Sequence, residues 1–179
     1  RSVRTFPMVG WRTVTAPPER NLVRTQSPQM VDSQQLLDDL TKLLTTLEED
    51  LGQQMNDLPG MRARLVADYE AARKVGRTRD TFETWSKEPL TQGAAAWILG
   101  TVFVRFLEDN ALVEPMLSGI GARHTRAQQE HQHYFQRHPT HGDREYLEHL
   151  FGRLRAIPAT SALFDSRHNP LWRLPISAD

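Results

Sequence analysis

The chain has 179 residues, with 22 basic and 22 acidic side chains. That length suits one domain, or one domain with a tail, and the charge balance argues against a general polyanion binder. Cysteine is absent, which excludes a disulfide framework, a thiolate zinc site and a cysteine nucleophile. Along the chain, residues 1–29 carry five Arg and one Glu, residues 30–60 carry seven acids and only Lys42, and residues 61–88 return to seven bases against five acids.

Residues 1–29 are Arg-rich and contain four prolines, without an apolar h-region or a sustained amphipathic period. They read as a disordered leader or as residues ahead of a mis-assigned start, with Met30 the more natural beginning. Residues 30–179 then form a helical domain, incomplete at its C-terminal end. Its clearest element is a leucine stripe: Leu36, Leu37, Leu40, Leu43, Leu44, Leu47, Leu51 and Met55 recur at steps of three and four. Asp32 or Ser33 can cap this helix, nearby acids suit its dipole, and Pro59-Gly60 ends it. The stripe can pack within the domain or zip against a partner helix.

A second helix is expected over 61–75, with Leu65, Val66, Tyr69, Ala72 and Val75 inward and Gly76 as its C-terminal stop. A short helix follows at about 81–87. The run "AAAWILGTVFVRFLEDN", 94–110, is apolar nearly all round until Arg105, which places it in the middle of the fold. The uncharged stretch 89–104 has an apolar portion shorter than the roughly 20 residues of a membrane span. Two polar helices come next, about 127–137 and 143–157, the latter with Tyr146, Leu147, Leu150, Phe151 and Leu154 on one face. The fold class is all-α.

Five of seven histidines lie in "HTRAQQEHQHYFQRHPTH", 124–141. A helical zinc site needs two ligands on one face at spacing i, i+4. His131 and His133 face apart, Pro139 interrupts His138 and His141, and the heptad steps of His124, His131 and His138 are about 10 Å each, too long for one ion. The stretch reads as the wet face of a helix. "HNPLW", 168–172, has the outline of the Asn-Pro-Pro-aromatic grip on a flipped adenine, but Leu171 replaces the second proline and no hydrophobic strand precedes it. It reads as a turn with a packed Trp172. "RKVGRTR" gathers Arg73, Lys74, Arg77 and Arg79 around a helix end, where cations can contact phosphates without reading sequence. No Walker loop, nucleophile elbow or glycine-rich cofactor turn is present.

Extended stretches carry one family likeness: "LLDDLTKLLTTLEEDL" with "LPGMRARLVADYEAARKVGRTRDTFETW", then "AAAWILGTVFVRFLEDNALVEPMLSG", then "HTRAQQEHQHYFQRHPTHGDREYLEHLF" with "LFDSRHNPLWRLPISAD". Together, from about Met30 to Asp179, they resemble the N-terminal region of the PglX family, adenine-specific DNA methyltransferases of phage-growth-limitation (BREX-type) defence. The resemblance implies a cytoplasmic, S-adenosylmethionine-dependent parent enzyme that methylates adenine N6 in DNA. Its partners would be DNA and other phage-defence proteins, with no membrane association. In that family the cofactor loop and the Asn-Pro-Pro-aromatic motif lie downstream, in a Rossmann-like domain, so the resemblance transfers no catalytic, cofactor-binding or metal-binding residue to this chain. Pro89 and Gly93 depart from the family's helix-favouring run and are expected to weaken helix initiation or to mark a decaying copy, unless Pro89 sits harmlessly in the first helical turn. A freestanding interaction module, docking through the Leu36–Met55 stripe, is the competing expectation.

Overall fold

A computed structural model of the chain describes residues 32–178. Expectations for a leader over residues 1–29, for Met30 as the start and for Asp179 lie outside these residues. The described elements are α1 (Ser33–Asp57), α2 (Pro59–Lys74), α3 (Phe82–Trp85), α4 (Lys87–Asp109), α5 (Ala122–Arg137), α6 (Asp143–Arg155) and a 3-10 turn at Pro170–Trp172. No strand occurs among the described residues, so the all-α class holds and they contain no Rossmann-like sheet.

The leucine stripe does form one helix, but Pro59-Gly60 begins α2 and leaves Leu58 as the single joint between the helices. The proline has no N–H to leave unsatisfied in a first turn, and it forces Leu58 into an extended conformation (φ −110°, ψ 94°). Only the second half of the stripe reaches the core. Leu51 is fully buried, with Leu44, Leu47 and Met55 partly so, whereas Leu36, Leu37 and Leu43 are 46%, 58% and 45% exposed. The acids expected near the start of α1 fall in its second turn, beginning with Asp38.

Gly76 closes α2 as expected. Its φ of +73° lets its N–H reach Arg73 O (3.0 Å) and the Arg77 N–H reach Ala72 O (2.9 Å), satisfying two orphan carbonyls. Leu65 is buried and Tyr69 half-buried, but Val75, at the C-cap, is exposed. After the turn, Thr81 caps α3 by accepting from the Thr84 N–H (3.3 Å).

Helix α4 is the axis of the fold and begins well before its alanine run. Pro89 sits in its first turn, where no intrahelical donor is lost. Gly93 is a packing requirement rather than a weakness: a Cβ there would stand 2.6 Å from Leu174 Cδ1 and 3.3 Å from Leu51 Cδ1. Its absence lets α1, α4 and the C-terminal segment meet. One face of α4 buries Leu90, Ala94, Trp97, Ile98, Val104 and Leu107. Trp97 donates its indole N–H to Leu174 O (2.9 Å), and Phe151 from α6 stacks on Phe164 at 5.2 Å.

The expectation that α4 is surrounded is corrected on its outer side. Leu99, Val102 and Phe106, at helical spacing, are 65%, 47% and 55% exposed. With Ala162 and Leu163 they line an apolar groove of about 830 Å³. Residues 82–109 also form a helical stretch long and apolar enough to cross a membrane, longer than the uncharged run suggested. Its buried face is that of a core helix.

Glu108 belongs to no local pattern in the sequence. It is 1% exposed, yet its carboxylate accepts from Met116 N (2.5 Å), Leu117 N (2.7 Å), Ser118 N (3.2 Å) and Arg105 Nη1 (3.0 Å). The charge thus organises the loop after α4, and Arg123 ties the same loop through Glu108 O (3.0 Å) and Val113 O (2.9 Å). Helix α5 starts at Ala122, a turn and more before its expected start, because Gly121 adopts a φ of +60° that redirects the chain. The final segment is pinned: Arg144 Nη1 donates to Ile176 O (3.1 Å) and Ser177 N to an Asp50 carboxylate oxygen (2.8 Å).

Candidate functional site

Arg73, Lys74, Arg77 and Arg79 lie along the last turn of α2 and the turn that follows, all exposed, and none forms an ion pair among the described residues. Their position follows from the helix stop at Gly76. Cations in a last helical turn face the negative end of the helix dipole, which favours them there without any ligand. The four are adjacent in the chain, and none of them lines the cleft beside α2.

A second basic group does converge, and no local pattern of residues marks it. Beside α2, a cleft of about 290 Å³ is walled by Arg64 and Asp68 from α2, Trp85 from α3, Gln92 from α4 and Arg167 and Arg173 from the C-terminal segment. Arg64 and Asp68 share the α2 face that carries Met61 and Leu65 into the core, so burial of the apolar pair aims the charged pair at the cleft. Arg173 pairs with Asp68 at 2.6 Å, and Arg64 donates to Arg173 O at 3.3 Å, without a carboxylate of its own among the described residues. Arg167 is held by Asp165 (2.7 Å), whose carboxyl this guanidinium keeps well below the usual range. Trp85 packs on Tyr69 at 5.6 Å, and Tyr69 donates to Asp80 O (2.8 Å), so the aromatic wall is braced from behind.

The "HNPLW" stretch forms the rim of this cleft as a turn. Asn169 accepts from Leu171 N (3.1 Å) and donates to Leu163 O (2.8 Å), while Trp172 donates to Phe164 O (3.0 Å). With its amide engaged on both sides, Asn169 is a structural cap rather than a free grip for a base.

The five histidines of residues 124–141 are exposed, as the wet-face reading expects, and so are His149 and His168, but several rings pack on aromatics. Tyr134, buried on α5, donates to Glu145 O (3.0 Å) and shares a 2.7 Å hydrogen bond with His141 Nδ1. His138 stacks on His141 at 4.8 Å, His131 meets Tyr146 at 4.9 Å, and His149 lies 5.0 Å from Tyr134. Burial and the nearby Arg153 hold His149 below the ordinary histidine range. Among the described residues no group of three or more His, Cys, Asp or Glu could hold a metal ion.

Fold and site together define an all-helical domain with a cationic cleft and two open apolar faces. Its described residues include none of the sheet on which a Rossmann-like catalytic domain is built. In sequence the chain is similar to the adenine-specific methyltransferase PglX of Streptomyces coelicolor, with 43% identity over 152 residues, or 84% of this chain. The likeness to PglX read from the residues is thereby shown, and the chain spans 13% of that relative's length. No protein-family model matches the chain. No solved structure matches it either.

Proposed function

We propose that residues 30–179 are the N-terminal helical segment of a PglX-like, site-specific adenine-N6 DNA methyltransferase that acts in phage defence in the cytoplasm. The observation that carries this reading is the 43% identity sustained over 84% of the chain against 13% of the relative. Similarity of that extent and proportion fits one segment of a much longer protein. The parent reaction transfers a methyl group from S-adenosylmethionine to adenine, and enzymes that work on a base inside a duplex extrude it first. In this reading the chain contributes no catalytic or cofactor-binding residue and has no methyltransferase activity alone. Its role is to pack on the catalytic part and help hold DNA. Arg73, Lys74, Arg77 and Arg79 serve as sequence-independent phosphate contacts. The open faces at Leu36–Leu43 and Leu99–Phe106 support the packing role, since contiguous exposed apolar surface marks an interaction site.

A second reading, a freestanding interaction module docking through the Leu36–Met55 stripe, draws on the exposure of Leu36, Leu37 and Leu43. It loses the other half of the stripe, because Leu51 is fully buried and Leu47 and Met55 are packed in the core. Calorimetry of the purified chain with S-adenosylmethionine tests the first reading. It predicts no binding heat, and micromolar affinity would overturn it. Sedimentation tests the second, which requires a stable oligomer or a defined helical partner.

A further inference from the structure

We propose that the cleft beside α2 is a binding site for the phosphate of a nucleotide unit, with Trp85 as the wall against which its base lies. Within the cleft three guanidiniums, of Arg64, Arg167 and Arg173, face one carboxylate, that of Asp68. Asp165, just outside the lining, neutralises Arg167, and Asp68 neutralises Arg173, which leaves the charge of Arg64 in excess. The cleft is therefore cationic in sum. Among the described residues Arg64 has no carboxylate partner: it donates to a neutral carbonyl, that of Arg173, which orients the guanidinium and leaves its remaining donors available. A phosphate oxygen can accept from Arg64 and from Arg173 in the fork geometry that guanidinium offers.

Phosphate alone would not use the rest of the cleft. Trp85 presents an aromatic wall braced by Tyr69, and stacking on an aromatic side chain accepts any base. Gln92 on α4, whose side-chain N–H donates to Glu88 (3.1 Å), adds its amide oxygen as a neutral acceptor. The volume of about 290 Å³ lies at the small end of the ligand-pocket range, roughly 300–1,000 Å³, which suits one nucleotide and not an extended molecule. The phosphate can come from a free nucleotide or from a nucleic-acid strand that passes the cleft. The inference deepens the reading above, resting on it only for DNA as the expected source of the phosphate.

The test uses the purified full chain and three probes: inorganic phosphate, AMP and a short fluorescein-labelled DNA in single-stranded and duplex forms. AMP should bind and be displaced by phosphate, and Arg64→Gln should weaken it at least tenfold with an unchanged melting temperature. Lys42→Gln, on the exposed face of α1 and outside the cleft, should leave AMP affinity as it was. Displacement of AMP by DNA identifies a strand as the source, whereas AMP binding that DNA does not disturb identifies a free nucleotide; either supports the site. No binding of any probe at millimolar concentration, or equal losses in Arg64→Gln and Lys42→Gln, would overturn it. Neither result bears on the calorimetry with S-adenosylmethionine, so the two readings can fail separately.

Discussion

Replacing Glu108 with Gln tests whether one buried charge holds the loop after α4. The side chain keeps its volume, so packing is preserved and only hydrogen bonding and charge change. One oxygen can still accept from Met116 N and Leu117 N, now as a neutral acceptor of roughly half the strength. The new amide nitrogen would face the N–H of Ser118 and Nη1 of Arg105, donor against donor. A hydrogen bond to a charged group contributes about 1.5–3 kcal/mol, and breaking a buried pair costs about 3–5 kcal/mol. Because the Arg105 side chain is 33% exposed, water screens part of its share. The expected loss is about 3–4 kcal/mol, a large fraction of the 5–15 kcal/mol typical of a domain. Urea unfolding of the full chain, followed by tryptophan fluorescence, should show the midpoint falling while the slope stays constant, and the melting temperature should fall by roughly 10 °C. A loss below about 1 kcal/mol with an unchanged slope would refute the idea that Glu108 organises the loop.

Two further outcomes follow from local geometry. Ala111 occupies the left-handed position after α4 with a φ of +54°, and its N–H and that of Leu112 close the helix on Glu108 O (3.0 Å) and Leu107 O (2.9 Å). Glycine removes the Cβ penalty there, so Ala111→Gly should raise stability by up to about 1 kcal/mol in the same assay, and a loss would contradict the assigned turn. Burial, with Glu108 and Glu130 nearby, pushes the Tyr146 phenol up to about 12. The folded state thus holds its proton more tightly than the unfolded chain. This stability is full below pH 10 and drains as pH rises from 10 towards 12, by about 2–3 kcal/mol. A phenolate absorbance step above pH 11 that vanishes in Tyr146→Phe would support this, whereas normal titration of all three tyrosines would not.

Residues within one or two turns of each other made most of the helices legible. Leucines at steps of three and four announced α1, and Gly76 after Arg73 and Lys74 marked the end of α2, because these signals are set by backbone geometry alone. Pro59-Gly60 was ambiguous for a physical reason: a proline that ends one helix also fits the first turn of the next. The outer face of α4 was misread since an apolar helix announces burial without saying which neighbours supply it. What the sequence hid most completely is the cleft. Its Arg173–Asp68 pair joins residues 105 apart and its Arg64–Arg173 contact residues 109 apart, separations that no local pattern encodes. Chemically suggestive strings showed only what their own backbone positions decide. Asn169 in "HNPLW" is consumed by its own turn, and "RKVGRTR" advertised a basic patch while the converging arginines lay scattered at Arg64, Arg167 and Arg173.

The most direct measurement is to read the DNA that follows the Asp179 codon. A segment of a PglX-like methyltransferase should continue in an open frame into a glycine-rich cofactor loop and an Asn-Pro-Pro-aromatic motif. An immediate stop codon, with no catalytic half encoded nearby, would contradict it.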